Sequence, residues 1–143
     1  MRDGITLRTD PFPSEEDMAA LMAAAWGADH DPSQSWAPIL SRSLAHVAAY
    51  REERLVGFVN VAWDGGVHAF LLDTSVHPDE GRQGVGTALV TEATSVARAK
   101  GAHWLHVDFP PHLAGFYMSC GFRISLAGLI ALKPAAASGE PSS

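Results

Sequence analysis

One stretch of this 143-residue chain carries residue types spaced for chemistry: Gly81-Arg82-Gln83-Gly84-Val85-Gly86-Thr87. It lies between an apolar run over residues 69–76 and a helix-like segment that reaches Lys100. Strand, tight glycine turn and helix in succession aim several backbone N–H groups at one point. The first N–H groups of a helix have no intrahelical partner, and the helix dipole favours negative charge there. Arg82 adds a permanent cation, and Gly84 and Gly86 let a ligand reach the backbone with no Cβ in the way. The chemistry implied is anion binding, of a phosphate group in particular.

Spacing narrows the choice of phosphate ligand. A P-loop needs Lys-Ser/Thr after its last glycine, and here Thr87-Ala88 follows Gly86. A dinucleotide fingerprint begun at Gly84 would put its third glycine at Leu89, with no well-placed acidic residue beyond. A second group of candidates could move protons. His106 is one, since the unperturbed pKa of a histidine, about 6.5, suits proton removal near neutral pH. Strand alternation puts Asp108 on the same face, where a carboxylate would raise the imidazole pKa. Asp73 is a further candidate, although alternation points it away from Thr74 and Val76 unless a bulge intervenes. Cys120 has no base beside it and reads as packing. His68, His77 and His103 lack ligand-like spacing, and Asp29-His30-Asp31 reads as a solvated loop, so no metal is expected.

The elements that must position these residues follow from periodicity and breakers. Residues 5–7 form a short strand, stopped by Pro11 and Pro13. Ser14 caps a helix with Glu15, Glu16 and Asp17 in its first turn; Met18, Leu21, Met22, Ala25 and Trp26 recur at helical spacing up to Gly27. A second short helix spans 35–42. Strands over 44–50, 55–63 and 67–76, joined by a charged turn and by Asp64-Gly65-Gly66, make an antiparallel meander. The helix after the glycine turn buries Val85, Leu89, Ala93, Val96 and Ala97 and ends at Lys100-Gly101. A strand over 104–109 then lies parallel to the strand ending at Val76, through a right-handed crossover. Residues 112–120 form a short helix, and 122–125 and 129–132 two last strands. One domain over 1–133 and a disordered tail over 134–143 are expected. The class is α/β (α+β), in the order β-α-α-β-β-β-α-β-α-β-β.

Composition excludes several functions. Hydrophobic residues at 47% and charged residues at 18% are those of a soluble globular protein. A net charge of −6 argues against a nucleic-acid surface. No apolar run approaches a membrane span, and the start, Met-Arg-Asp-Gly, has no signal-peptide core. A single cysteine fits a reducing cytoplasm.

The glycine turn and the element order together resemble the GCN5-related N-acetyltransferase (GNAT) family. Arg82 to Thr87 match the last five positions of its acetyl-CoA signature, Gln/Arg-x-x-Gly-x-Gly/Ala, and the residue beyond. Gly81 stands where the family has Gln or Arg, which removes a side chain and leaves the backbone cradle. Tyr117 to Phe122 resembles the family segment Leu-Tyr-Glu-Lys-x-Gly-Phe. The resemblance implies a mixed, mostly antiparallel sheet of six to seven strands flanked by about four helices. It implies acetyl-CoA as co-substrate, no metal, and acetyl transfer to a primary amine on a small molecule or peptide. Thr74, Ser75 and Val76 would hold the thioester and pantetheine arm; Arg82, Gln83, Gly84, Val85, Gly86 and Thr87 would take the pyrophosphate. Tyr117 would protonate the departing thiolate, and His106, Asp73 or water would take the amine proton. The family asparagine at the start of the last helix is replaced by Pro110, Pro111 and His112, and its strand glutamate by His106. The first two helices wall the acceptor cleft in this family, so Trp26, Trp36, Asp29 and Asp31 would offer a cationic amine an aromatic and acidic lining. C-terminal strands in the family often pair subunits, which makes a homodimer possible. The alternative is a non-catalytic module that binds acyl-CoA to sense or present it.

Overall fold

A computed structural model describes residues 4–81 and 84–133 of the chain. Arg82, Gln83 and the expected tail at 134–143 lie outside the described residues.

The centre is a five-stranded sheet of β1 (Ile5–Thr9), β2 (Ala45–Arg51), β3 (Arg54–Trp63), β4 (His68–Val76) and β5 (Trp104–Val107), in that spatial order. β1 to β4 pair antiparallel, and β4 pairs parallel with β5. Asp64 starts the β3–β4 turn by accepting from the Gly66 N–H at 2.7 Å, while Gly65 takes a left-handed φ of 84°. The parallel step has to cross over, and α3 (Val85–Ala99) does so.

Each face of the sheet is covered by helices. On one face Val85, Leu89, Val90 and Ala93 of α3 pack onto Val47, Val59, Val61 and Leu71. α3 comes close because β3 carries Gly57 beneath it. A Cβ there would lie 2.9 Å from Leu89 Cδ1 and 3.3 Å from Val85 Cγ1. On the other face, α1 (Glu15–Trp26) and α2 (Ala37–Arg42) bring Met18, Leu21, Met22, Trp36 and Leu40 against Ala48, Tyr50 and Phe58. Ser14 caps α1, its hydroxyl accepting from the Asp17 N–H at 3.0 Å. The Glu15 carboxylate then accepts from the N–H groups of Trp36 at 2.6 Å and Ala37 at 2.9 Å, filling the open start of α2. These two backbone bonds hold its carboxyl below the ordinary range and lock the two helices together. Last comes α4 (Ala114–Ser119), preceded by a 3-10 turn at Pro111–Leu113.

The strand count corrects the expected six to seven. Residues 122–125 and 129–132 form no strand, and Leu126 (103% exposed) and Leu132 (94%) stand in solvent with Ile124, Leu129 and Ile130. Their β-forming composition reports a fit to a half-buried pleated surface, and within this chain they are given none. The element order and the flanking helices are otherwise those expected.

Candidate active site

β4 is irregular where the site forms. Phe58 pairs with Ser75 and Asn60 with Leu72, so Asp73 and Thr74 together oppose Val59. Asp73 takes the extra place with φ of 60°, rare for a residue with a side chain. The bulge reverses the alternation of the strand. Before it, Ala69 and Leu71 belong to the α3-side core; after it, Val76 packs against that core and Ser75 is buried against α1. The Ser75 hydroxyl donates to the Asp73 carbonyl at 2.9 Å and accepts from the indole N–H of Trp26 at 2.8 Å. The last residue of α1 thus pins the bulge. Pairing of β4 with β5 ends at Leu71–Val107, leaving the β5-side edge of β4 open from Leu72 to Val76.

α4 closes on that edge. Tyr117 is 3% exposed and stacks on Phe109 with ring centres 5.0 Å apart, with Phe116 and Phe122 edge-on. Its hydroxyl faces the Thr74 side chain. Burial pushes the phenol pKa upward, the neighbouring Thr74 hydroxyl opposes that, and the charge of Asp108 reinforces it. Tyr117 is therefore a protonated O–H donor at neutral pH, set against the open end of β4.

The third wall is the start of α3. Gly84 stands at its N-cap with φ of 82°, and a Cβ there would meet nothing within 4 Å. The first intrahelical bond runs from the Ala88 N–H to the Gly84 carbonyl at 2.9 Å, so the N–H groups of Val85, Gly86 and Thr87 precede the helical ladder. Gly86 is the point of close approach, since a Cβ on it would lie 3.3 Å from the Phe116 ring. The Thr87 side chain neighbours Cys120, whose thiol pKa is pushed up chiefly by burial.

The acetyltransferase (GNAT) family profile matches residues 7–122. The chain belongs to the GNAT family. Among solved structures it is similar to a GNAT-family acetyltransferase of Streptococcus pneumoniae TIGR4, at 26% identity and a TM-score of 0.76, covering 92% of this chain and 99% of that one. It shares its fold with AAC(6')-Iy, solved with a bisubstrate analogue, CoA-S-monomethyl-acetylneamine, at 19% identity and a TM-score of 0.72, covering 92% of this chain and 99% of that one. Among curated proteins it is 33% identical to a mycothiol acetyltransferase of Nocardia farcinica over 94 residues, 63% of this chain and 31% of that protein. This chain thus spans less than a third of the length of that relative.

A separate hollow lies towards α1 and α2. A cavity of about 180 Å³ is lined there by Met22, Trp26, Asp29, Asp31, Trp36 and Asp73, among others. The aromatic and acidic residues expected at the acceptor side thus come together, joined by Asp73. Burial pushes the Asp73 carboxyl pKa up, whereas the hydroxyl and N–H of Ser33 hold the Asp31 carboxyl down. His106 is placed apart from this cavity's lining. It is exposed on β5, its Nε2 2.8 Å from His68 Nδ1 and its ring stacked on Phe70 at 4.8 Å. Asp108, expected beside it, follows the end of β5 and acts on Tyr117. Sequence reasoning missed the Trp26–Ser75 pin and the Thr74–Tyr117 juxtaposition. Both join residues more than forty positions apart, and no local spacing signals them. Among the described residues, no cluster of three or more His, Cys, Asp or Glu is arranged for a metal, and no helix is long and apolar enough to cross a membrane.

Proposed function

We propose that this chain is an acetyl-CoA-dependent N-acetyltransferase that acts on a primary amine by direct attack within a ternary complex. The observation that carries the reading is the buried Tyr117, whose hydroxyl faces Thr74 on the open edge of β4, with the first turn of α3 alongside. Backbone groups of Thr74, Ser75 and Val76 hold the pantetheine arm as an added strand would be held. The N–H groups of Val85, Gly86 and Thr87, with Arg82, Gln83 and Gly84, take the pyrophosphate. An amine entering from the α1–α2 side attacks the thioester carbonyl, the C–S bond breaks, and Tyr117 donates its proton to the thiolate. Holding both reactants in line supplies much of the rate without a covalent enzyme intermediate.

Asp73 and His106 compete for the amine proton. Asp73 lies next to Thr74 in the chain and lines the cavity, and its raised pKa makes it a better base than an ordinary carboxylate. We assign the proton to Asp73, with His106 and its His68 partner as the competing relay to solvent. The acidic and aromatic lining suits a small cationic amine. The exposed apolar residues of segment 122–132 support a homodimer in which that segment pairs with a second copy.

The test is a panel of primary amines with acetyl-CoA, followed by release of free thiol. Turnover of at least one amine is expected. Calorimetric binding of acetyl-CoA with no turnover of any amine would instead favour a binding or sensing module. Gly84→Glu should abolish binding, because it brings a negative charge into the anion site at a position where neighbouring atoms leave space. Normal affinity in that variant would remove the cradle.

A further inference from the structure

The β2–β3 hairpin grips the turn that leads into the cradle. Arg51 and Arg54 flank its Glu52-Glu53 turn. Arg51 Nε and Nη2 donate to Glu80 Oε2 and Oε1, both at 2.8 Å, a two-pronged, charge-assisted pair. Arg54 Nη2 lies 2.7 Å from His77 Nε2 and 3.7 Å from Asp79 Oδ2. The turn itself, Pro78–Glu80, is closed by bonds from the Glu80 N–H to the His77 carbonyl at 2.8 Å and from the Gly81 N–H to the Pro78 carbonyl at 3.1 Å.

Glu80 is out of place on simple grounds. It is 4% exposed, and a buried carboxylate is costly unless paired. It also brings a negative charge to within four residues of Gly84, where an anion is to bind. Arg51 answers both points, neutralising the charge and fixing its direction. The N–H groups of the cradle are useful only if the chain enters α3 at the right angle, and that chain departs from Glu80.

We infer that Glu80, held by Arg51, is a positioning residue for the diphosphate-bearing half of the acyl donor: it fixes the turn that delivers the chain to the start of α3. The inference rests on the acetyl-CoA reading above. Acetyl-pantetheine separates the two, because it has the same thioester and arm but no pyrophosphate or nucleotide. Glu80→Gln keeps the shape of the side chain and removes its charge. It is expected to raise the KM for acetyl-CoA about ten-fold, on the scale of coupling between paired residues. The kcat at saturation and kcat/KM with acetyl-pantetheine stay at wild-type values. Arg51→Met behaves alike, and the double variant is no worse than either single one. Calorimetry with CoA reads the same loss without turnover. Should Glu80→Gln not fold, Arg51→Lys keeps the charge, loses the two-pronged geometry, and gives a smaller loss with the same donor dependence. If the wild type uses both donors equally well, the pyrophosphate cradle is wrong. If the wild type prefers acetyl-CoA and Glu80→Gln keeps that preference, or loses rate equally on both donors, the positioning role is wrong.

Discussion

Gly57→Ala tests whether the seat of α3 sets the cradle. The added Cβ would lie 2.9 Å from Leu89 Cδ1, 3.2 Å from Ala49 Cβ and 3.3 Å from Val85 Cγ1. Carbon atoms are at ease about 3.5–4.0 Å apart, so all three contacts are too short. None of the three neighbours has solvent to retreat into, since Leu89, Ala49 and Val85 are all buried. The strain is relieved by lifting α3 from β3, and overpacking of this kind costs about 1–3 kcal/mol. For a domain of this size the midpoint of thermal unfolding falls by about 3–5 °C for each kcal/mol. Val85 is the first residue of α3, so the shift reaches the cradle directly. If about 1–2 kcal/mol of it is lost from binding, acetyl-CoA affinity falls roughly five- to thirty-fold. Melting curves and calorimetry read the two effects. Leu89→Val removes the nearest carbon, so the double variant should be less impaired than the sum of the single ones. A Gly57→Ala protein that melts and binds like wild type refutes the packing argument. One that melts early but binds normally refutes the link from α3 to the cradle.

Two further outcomes follow from the site and the surface. With Asp73 as base, kcat/KM rises with pH through a pKa above the ordinary carboxylate range, because burial favours its protonated form. Asp73→Asn should lower kcat and erase that acid limb while His106→Gln leaves it in place, and the reverse pattern would give the role to His106. If segment 122–132 pairs with a second copy, light scattering finds a dimer at micromolar concentration, and Leu126→Glu with Leu132→Glu converts it to a folded monomer; a wild-type monomer would end that proposal.

What the sequence made legible depended on how local the cause was. The Gly84–Gly86 turn announces itself because left-handed φ and close approach are demands on single residues. The helices over Met18–Trp26 and Val85–Ala97 show in their apolar spacing, and the Asp64-Gly65-Gly66 turn in its residue types. The bulge at Asp73 was open only as a condition. It arises from the register of β3 against β4, and Asp73 itself is not a residue type that favours positive φ strongly enough to betray it. The Arg51–Glu80 pair was invisible because two charged residues in separate turns look solvated until the fold joins them. Residues 122–125 and 129–132 read as strands and form none, because strand-like composition says nothing about whether a partner edge is present. His106 reads in isolation as a base, but the partners it meets are His68 and Phe70.

The most direct measurement is acetyl transfer by Tyr117→Phe, with the best amine of the panel and saturating acetyl-CoA. The change removes only the hydroxyl that meets Thr74, and the rings of Phe109, Phe116 and Phe122 keep the side chain in place. The account predicts a fall in kcat of roughly 10²–10⁴-fold, the usual contribution of a positioned acid, with calorimetric affinity for acetyl-CoA unchanged. A kcat equal to that of the wild type would contradict it.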